Sequence, residues 1–191
     1  MLPTGKEPEV VPNTVPQPSL ERMVPLRGRP IVVGVVPRQS PLVLRTAASF
    51  AQALGNAKVH LGYVDTSRYV VEELGDGGVR HAPVSPDALD GEWTGIRDQL
   101  VTRSEQVLED TDIPWTFHYL AGRPDRALTH LARAVDACLI VVGTRGKGVG
   151  AQLRELVEGS VGMHLAHHQH RPVLTVPLDV VDWKDLDSPW Q

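Results

Sequence analysis

The stretch Ile31-Val32-Val33-Gly34-Val35-Val36 is a continuous apolar run, of the length and β-branching expected of a strand buried on both faces of a sheet. Beyond it the period changes. After Pro37-Arg38-Gln39, Ser40 and Pro41 take the N-cap and first helical positions, and Leu44, Ala47, Ala51 and Leu54 recur at helical spacing until Gly55 ends the segment. The strand–helix pair recurs down the chain. Lys58–Val64 predicts a second strand; Ile96, Leu100 and Val107 space a second helix to about Glu109; Trp115–Tyr119 predicts a third strand. Gly122-Arg123-Pro124 opens a helix carrying Leu128, Leu131 and Val135 on one face, and Ala137–Val142 is the most apolar strand. A helix over Ala151–His168 and a strand over Pro172–Val176 complete the series. Strand alternating with helix five times predicts an α/β fold, an open doubly wound sheet of five parallel strands with helices on both faces. Such a sheet takes ligands beyond the carboxyl ends of its strands.

Between the second strand and second helix, Asp65–Glu92 is rich in Gly, Pro and Asp with neither period evident, and is expected to form a long, partly mobile insertion. Seven of the 16 prolines fall in the first 30 residues, which disfavours both helix and ladder pairing there. Residues 1–29 are therefore expected to form an extended or disordered tail, inert or serving as a docking arm, followed by a domain at 30–177 and an extension at 178–191.

Composition narrows the function. The chain has 191 residues, 19 Lys and Arg against 23 Asp and Glu, and a net charge of −4, so no basic stripe suggests a nucleic-acid or anionic-membrane partner. It has neither a secretory leader pattern at its start nor a membrane-length apolar run, and a cytoplasmic location is expected. Cys138, the single cysteine, excludes an internal disulfide and a cysteine-based zinc cluster.

The stretch with most chemical content is Val141-Val142-Gly143-Thr144-Arg145-Gly146-Lys147-Gly148-Val149-Gly150, a strand ending in a glycine-rich loop ahead of a helix. Its glycines allow close backbone approach, so that N–H groups can converge on an anion such as phosphate. The spacing fits neither GxGxxG nor GxxxxGK[ST]. A plain strand-to-helix connection is the alternative. His164 and His168 have the i, i+4 spacing of two imidazoles on one helix face, but no acidic or cysteine ligand lies near in sequence, and no metal is expected. No Ser stands in a G-x-S-x-G context and no general acid and base are paired, so no catalytic residue is assigned.

Taken in order, IVVGV at Ile31, GRP at Gly122, LIVVGTRG at Leu139, Gly159-Ser160-Val161 and RPVLTVP at Arg171 resemble the universal stress protein family. The resemblance implies a Rossmann-like, adenine nucleotide alpha hydrolase-like sheet with strand order 3-2-1-4-5. Nucleotide-binding members of that family carry G-x2-G-x9-G-(S/T), whose glycine amides and hydroxyl hold ATP phosphates. Gly143 and Gly146 match its first glycines, and Gly159 and Ser160 match its end. Twelve residues separate Gly146 from Gly159 where the motif has nine, and Val36 stands where the family tends to place an aspartate facing the nucleoside. By resemblance Val64 lines the adenine side, Val142, Thr144 and Val161 flank the phosphate loop, and Arg145 and Lys147 either meet phosphate oxygens or remain solvated.

The resemblance implies a homodimer through the last strand, Val173, Leu174, Thr175 and Val176, and a regulatory role with bound ATP (with Mg) or AMP and at most weak ATPase or autophosphorylation. The alternative is a nucleotide-free dimeric scaffold. Trp183 and Trp190 are expected to pack on the body or on the other subunit.

Overall fold

A computed structural model describes residues 19–86, 91–144 and 161–178. Strands β1 (Ile31–Gly34), β2 (Val59–Asp65), β5 (Trp115–Ala121), β6 (Leu139–Gly143) and β7 (Val173–Val176) form one sheet. Its order is β5-β2-β1-β6-β7, with every pairing parallel. Counted along the five sheet strands alone, this is the expected 3-2-1-4-5.

Helices α1 (Leu42–Ala53) and α2 (Glu92–Leu108) cover one face, and α3 (Pro124–Ala134) and α4 (Val161–His168) cover the other. Side chains alternate across a strand, so β1 feeds two cores at once. Ile31, Val33 and Val35 pack with Val43, Ala47 and Ala51 of α1, while Val32 packs with Leu128 and Leu131 of α3 and Leu165 of α4. This explains why the strand reads as an unbroken apolar run. Helix α1 begins one residue later than expected, with Pro41 at the N-cap and Leu42 first in the helix; the Ser40 hydroxyl accepts the Leu42 N–H at 3.3 Å, and Gly55, with φ near +92°, follows the Leu54 C-cap. Pro124 opens α3, with Asp125 in its first turn.

The stretch Asp65–Glu92 departs from expectation. It contains an antiparallel hairpin, β3 (Arg68–Glu73) and β4 (Val79–Pro83), where a partly mobile insertion was expected. Alternation is weak in β3 because five of its six residues are exposed, so the strand has no buried side to reveal its period. The turn holds the stronger signal. Gly77 has φ near +84°, Gly78 donates its N–H to the Asp76 carboxylate at 2.9 Å, and Leu74 donates to the Gly78 carbonyl at 2.9 Å. A Cβ on Gly77 would stand 2.6 Å from a Leu131 methyl, so this turn rests directly on α3. Residues 87–90 of the expected insertion lie outside the described residues.

Of the expected tail, residues 1–18 are likewise outside the described residues. Residues 20–22 form a 3-10 turn, Val24 packs against the α1 core, and Gly28 donates its N–H to the Leu54 carbonyl at 2.9 Å. No helix among the described residues is long and apolar enough to cross a membrane.

Candidate functional site

The centre of the carboxyl edge lies where β1 and β6 end side by side, with β2 and β7 flanking them. Val36, two residues past the end of β1, is 43 % exposed. Val142 is buried among the α3–α4 core residues, and Val64 and Val161 pack against that same cluster. Three of the four valines assigned by resemblance therefore share one core cluster, and the fourth caps the neighbouring strand. Their grouping follows from sheet order, which sets β1 between β2 and β6, and from Val161 of α4 packing against the same cluster.

Gly143 and Thr144 are held firmly. A Cβ at Gly143 would lie 2.9 Å from Leu178 Cδ1, 3.0 Å from a Val43 methyl and 3.2 Å from Gln39 Nε2, so a methyl here would force those side chains to shift. Thr144 donates its N–H to the Val176 carbonyl at 2.8 Å, and its hydroxyl accepts the Leu178 N–H at 2.7 Å. Its amide thus extends the pairing with β7 and the hydroxyl ties down the chain leaving that strand. Arg145, Gly146, Lys147, Gly159 and Ser160 lie outside the described residues, as do Trp183 and Trp190.

The same edge carries a polar cluster that sequence reading did not single out. Asp65, the last residue of β2, is only 8 % exposed, and both of its oxygens are engaged. Ser67 donates its N–H at 2.9 Å and its hydroxyl at 2.6 Å to one oxygen, and Tyr119 of β5 donates its hydroxyl to the other at 2.6 Å. Burial opposes the charge on Asp65, but these hydrogen bonds outweigh it and hold the carboxyl below its ordinary range. Burial, followed by the bond to Asp65, pushes the Tyr119 phenol upward. Asp65 is therefore a buried acceptor hub that joins the hairpin's first residues to the sheet, and not a free base. Around Tyr119, His81 of β4 and Trp93 of α2 complete an aromatic cluster with ring centroids 5.0–5.3 Å apart. An aspartate directly after the Val64 strand was the available signal.

On the face toward α3, His60 of β2 and His118 of β5 are both buried, and their Nδ1 and Nε2 meet at 2.9 Å. Burial, then the neighbouring His118 and Lys58, pushes His60 down to about 4. His118 is lowered chiefly by burial, against the pull of Asp76 in the hairpin turn. His164 and His168 stack with ring centroids 6.0 Å apart. Among the described residues no group of three or more His, Cys, Asp or Glu side chains is placed to hold a metal.

The family model described as the universal stress protein family matches residues 28–177. The chain belongs to the universal stress protein family. The universal stress protein Sll1388 of Synechocystis is 31 % identical over 103 residues, covering 53 % of this chain and 64 % of that protein's length. Slr1101 of the same organism is 35 % identical over 80 residues, 42 % of this chain and 70 % of its own. Among solved structures, the universal stress protein from Archaeoglobus fulgidus in complex with dAMP aligns with a TM-score of 0.53 at 20 % identity, covering 78 % of this chain and 97 % of that one. At that identity the likeness establishes a common fold, and this universal stress protein shares the parallel sheet described above.

Proposed function

We propose that this universal stress protein binds an adenine nucleotide at the carboxyl edge of β1 and β6, in a regulatory rather than metabolic role. The observation that carries the reading is the apolar ground at that edge. Val64, Val142 and Val161 belong to one apolar cluster on the α3–α4 face, Val36 is exposed past the end of β1, and the glycine-rich segment leaves the sheet at Gly143, directly after Val142. Ligand sites are mostly apolar with a few placed polar groups, and a valine-lined wall suits a base. The Archaeoglobus protein, which was solved with dAMP, has the same fold and supports the reading. With Val36 in place of an acid, the nucleoside has no carboxylate at the end of β1, and the glycine segment with Ser160 would supply the polar contacts to phosphate. Mg would accompany ATP and would not be needed for AMP. The test is to denature the purified protein and assay the supernatant for adenine nucleotide, alongside a Gly146→Val variant. Nucleotide released from the wild type and missing from the variant supports the site, and nucleotide released equally from both refutes it.

A second reading has an observation of its own. Thr144 has committed its amide to Val176 and its hydroxyl to Leu178, and Leu178 fills the space in front of Gly143. Fewer donors then remain for phosphate, which favours a nucleotide-free scaffold. Both readings use a dimer through β7. Ile140 donates to the Pro172 carbonyl and Thr144 to the Val176 carbonyl, so alternation turns the backbone groups of Val173 and Thr175 toward the far side of β7, the edge of the sheet among the described residues. An open edge with free donors and acceptors is a template for pairing with a second copy.

A further inference from the structure

A depression of about 490 Å3 lies on the outer surface of α3, bounded by Glu73 at the end of β3 and by His168 at the end of α4. Arg126, His130 and Arg133 succeed one another at i, i+4 and i+7, which aligns them along one stripe of α3 with its ends about 10 Å apart. Arg123 enters from the helix start. Two carboxylates also line the depression. Asp125 pairs with Arg123 at 2.8 Å, and a Glu73 oxygen lies 3.3 Å from His130 Nδ1, an ion pair when that imidazole is protonated.

That leaves the guanidinium groups of Arg126 and Arg133, both exposed, with no ion pair among the described residues. His130 Nε2 also has no hydrogen-bond partner there. The positive field extends past the rim. Burial, then Arg171, Arg22 and Arg133, disfavours the proton on His170, and burial followed by Arg133 does the same to Arg171. An anion is the natural counterpart of such an unpaired positive stripe. A chain with more acidic than basic residues had carboxylates to spare for such partners, and places only two here.

We infer that this groove is an anion site for a short linear oligophosphate, whose successive charges run along the stripe from Arg126 to Arg133, with His168 on the far wall. Arginine pairs with phosphate oxygens through two parallel N–H bonds, and two arginines separated by about two turns suit an extended, multiply charged anion better than a compact one. The site lies on α3 and α4, apart from the β1–β6 edge, and holds whether or not that edge binds nucleotide.

The test is a titration of the full chain with inorganic tripolyphosphate at 150 mM NaCl, monitored by the imidazole NMR signals of His130 and His168. Saturable shifts of both are expected, with affinity at least tenfold weaker in an Arg126→Gln, Arg133→Gln double variant and unchanged in Arg97→Gln, an exposed arginine of α2. AMP should not displace the tripolyphosphate; displacement would assign the binding to a nucleotide site and overturn the proposal. It is also overturned if His130 and His168 do not respond in the wild type, if the double variant binds as tightly, or if citrate produces the same saturable shifts.

Discussion

Acidifying the protein from pH 7 to pH 5 should cost it stability before most of its carboxylates take up protons. The cause is the buried His60–His118 pair, whose ring nitrogens meet at 2.9 Å in a site that favours the neutral form. His60 has an ordinary value of 6.5 and a folded value of about 4. Between those limits the unfolded chain binds a proton at this position that the folded chain does not, so stability is lost as the pH falls through the window. A separation of about 2.5 units at 1.36 kcal/mol each corresponds to roughly 3 kcal/mol over the whole window, and about 2 kcal/mol by pH 5. His118 moves in the same direction and adds to the loss. His170 also shifts downward, but it is exposed and contributes little. Asp65 and Asp125 are held below 3.8, so their contributions fade only at lower pH and leave this window to the histidines. The assay is urea unfolding monitored by tryptophan fluorescence at half-unit pH steps, in the wild type and in a His60→Leu, His118→Phe double variant. The wild type should lose about 2 kcal/mol between pH 7 and pH 5, and the variant, with no buried imidazoles to charge, should show a much flatter profile. Equal slopes in the two proteins, or a His60 NMR titration midpoint near 6.5, would show that the buried pair is not the cause.

Other substitutions probe the carboxyl edge. Tyr119→Phe removes the hydroxyl that donates to buried Asp65, and should cost about 1.5–3 kcal/mol in urea unfolding while raising the Asp65 pKa. Gly143→Ala puts a methyl 2.9 Å from Leu178 and 3.0 Å from Val43, and should cost about 1–3 kcal/mol by the same assay. Ser160→Ala should weaken nucleotide affinity by about 1.5–3 kcal/mol in calorimetry, the value of one charge-assisted hydrogen bond. Thr175→Pro removes an N–H from the open edge of β7 without touching the ladder to β6, and should shift a dimer to monomer in sedimentation velocity.

Sequence was most legible where side-chain period and burial coincide. IVVGVV at Ile31 and LIVVG at Leu139 read as buried strands because both faces of the sheet are covered, and Ser40-Pro41 and Gly55 marked the ends of α1 to within a residue for local reasons. The β3–β4 hairpin escaped because β3 is mostly exposed, so the apolar residues Tyr69, Val70 and Val71 sit in no recognisable alternation. Its turn, Asp76-Gly77-Gly78, was the legible part. At the candidate site, grouping Val64, Val142 and Val161 required the family resemblance, and their shared cluster depends on sheet order that no local pattern encodes. The Asp65–Tyr119 bond and the His60–His118 pair each join residues more than fifty positions apart, through the β2–β5 register, which is set by tertiary pairing.

Whether an adenine nucleotide sits at the carboxyl edge of β1 and β6 is best decided by calorimetry. Nucleotide-free protein would be titrated with AMP, and with ATP and Mg, in the wild type and in Gly146→Val. Saturable binding of one nucleotide per chain is predicted in the wild type and none in the variant. Absence of binding in wild-type protein shown to carry no nucleotide would contradict the proposed site.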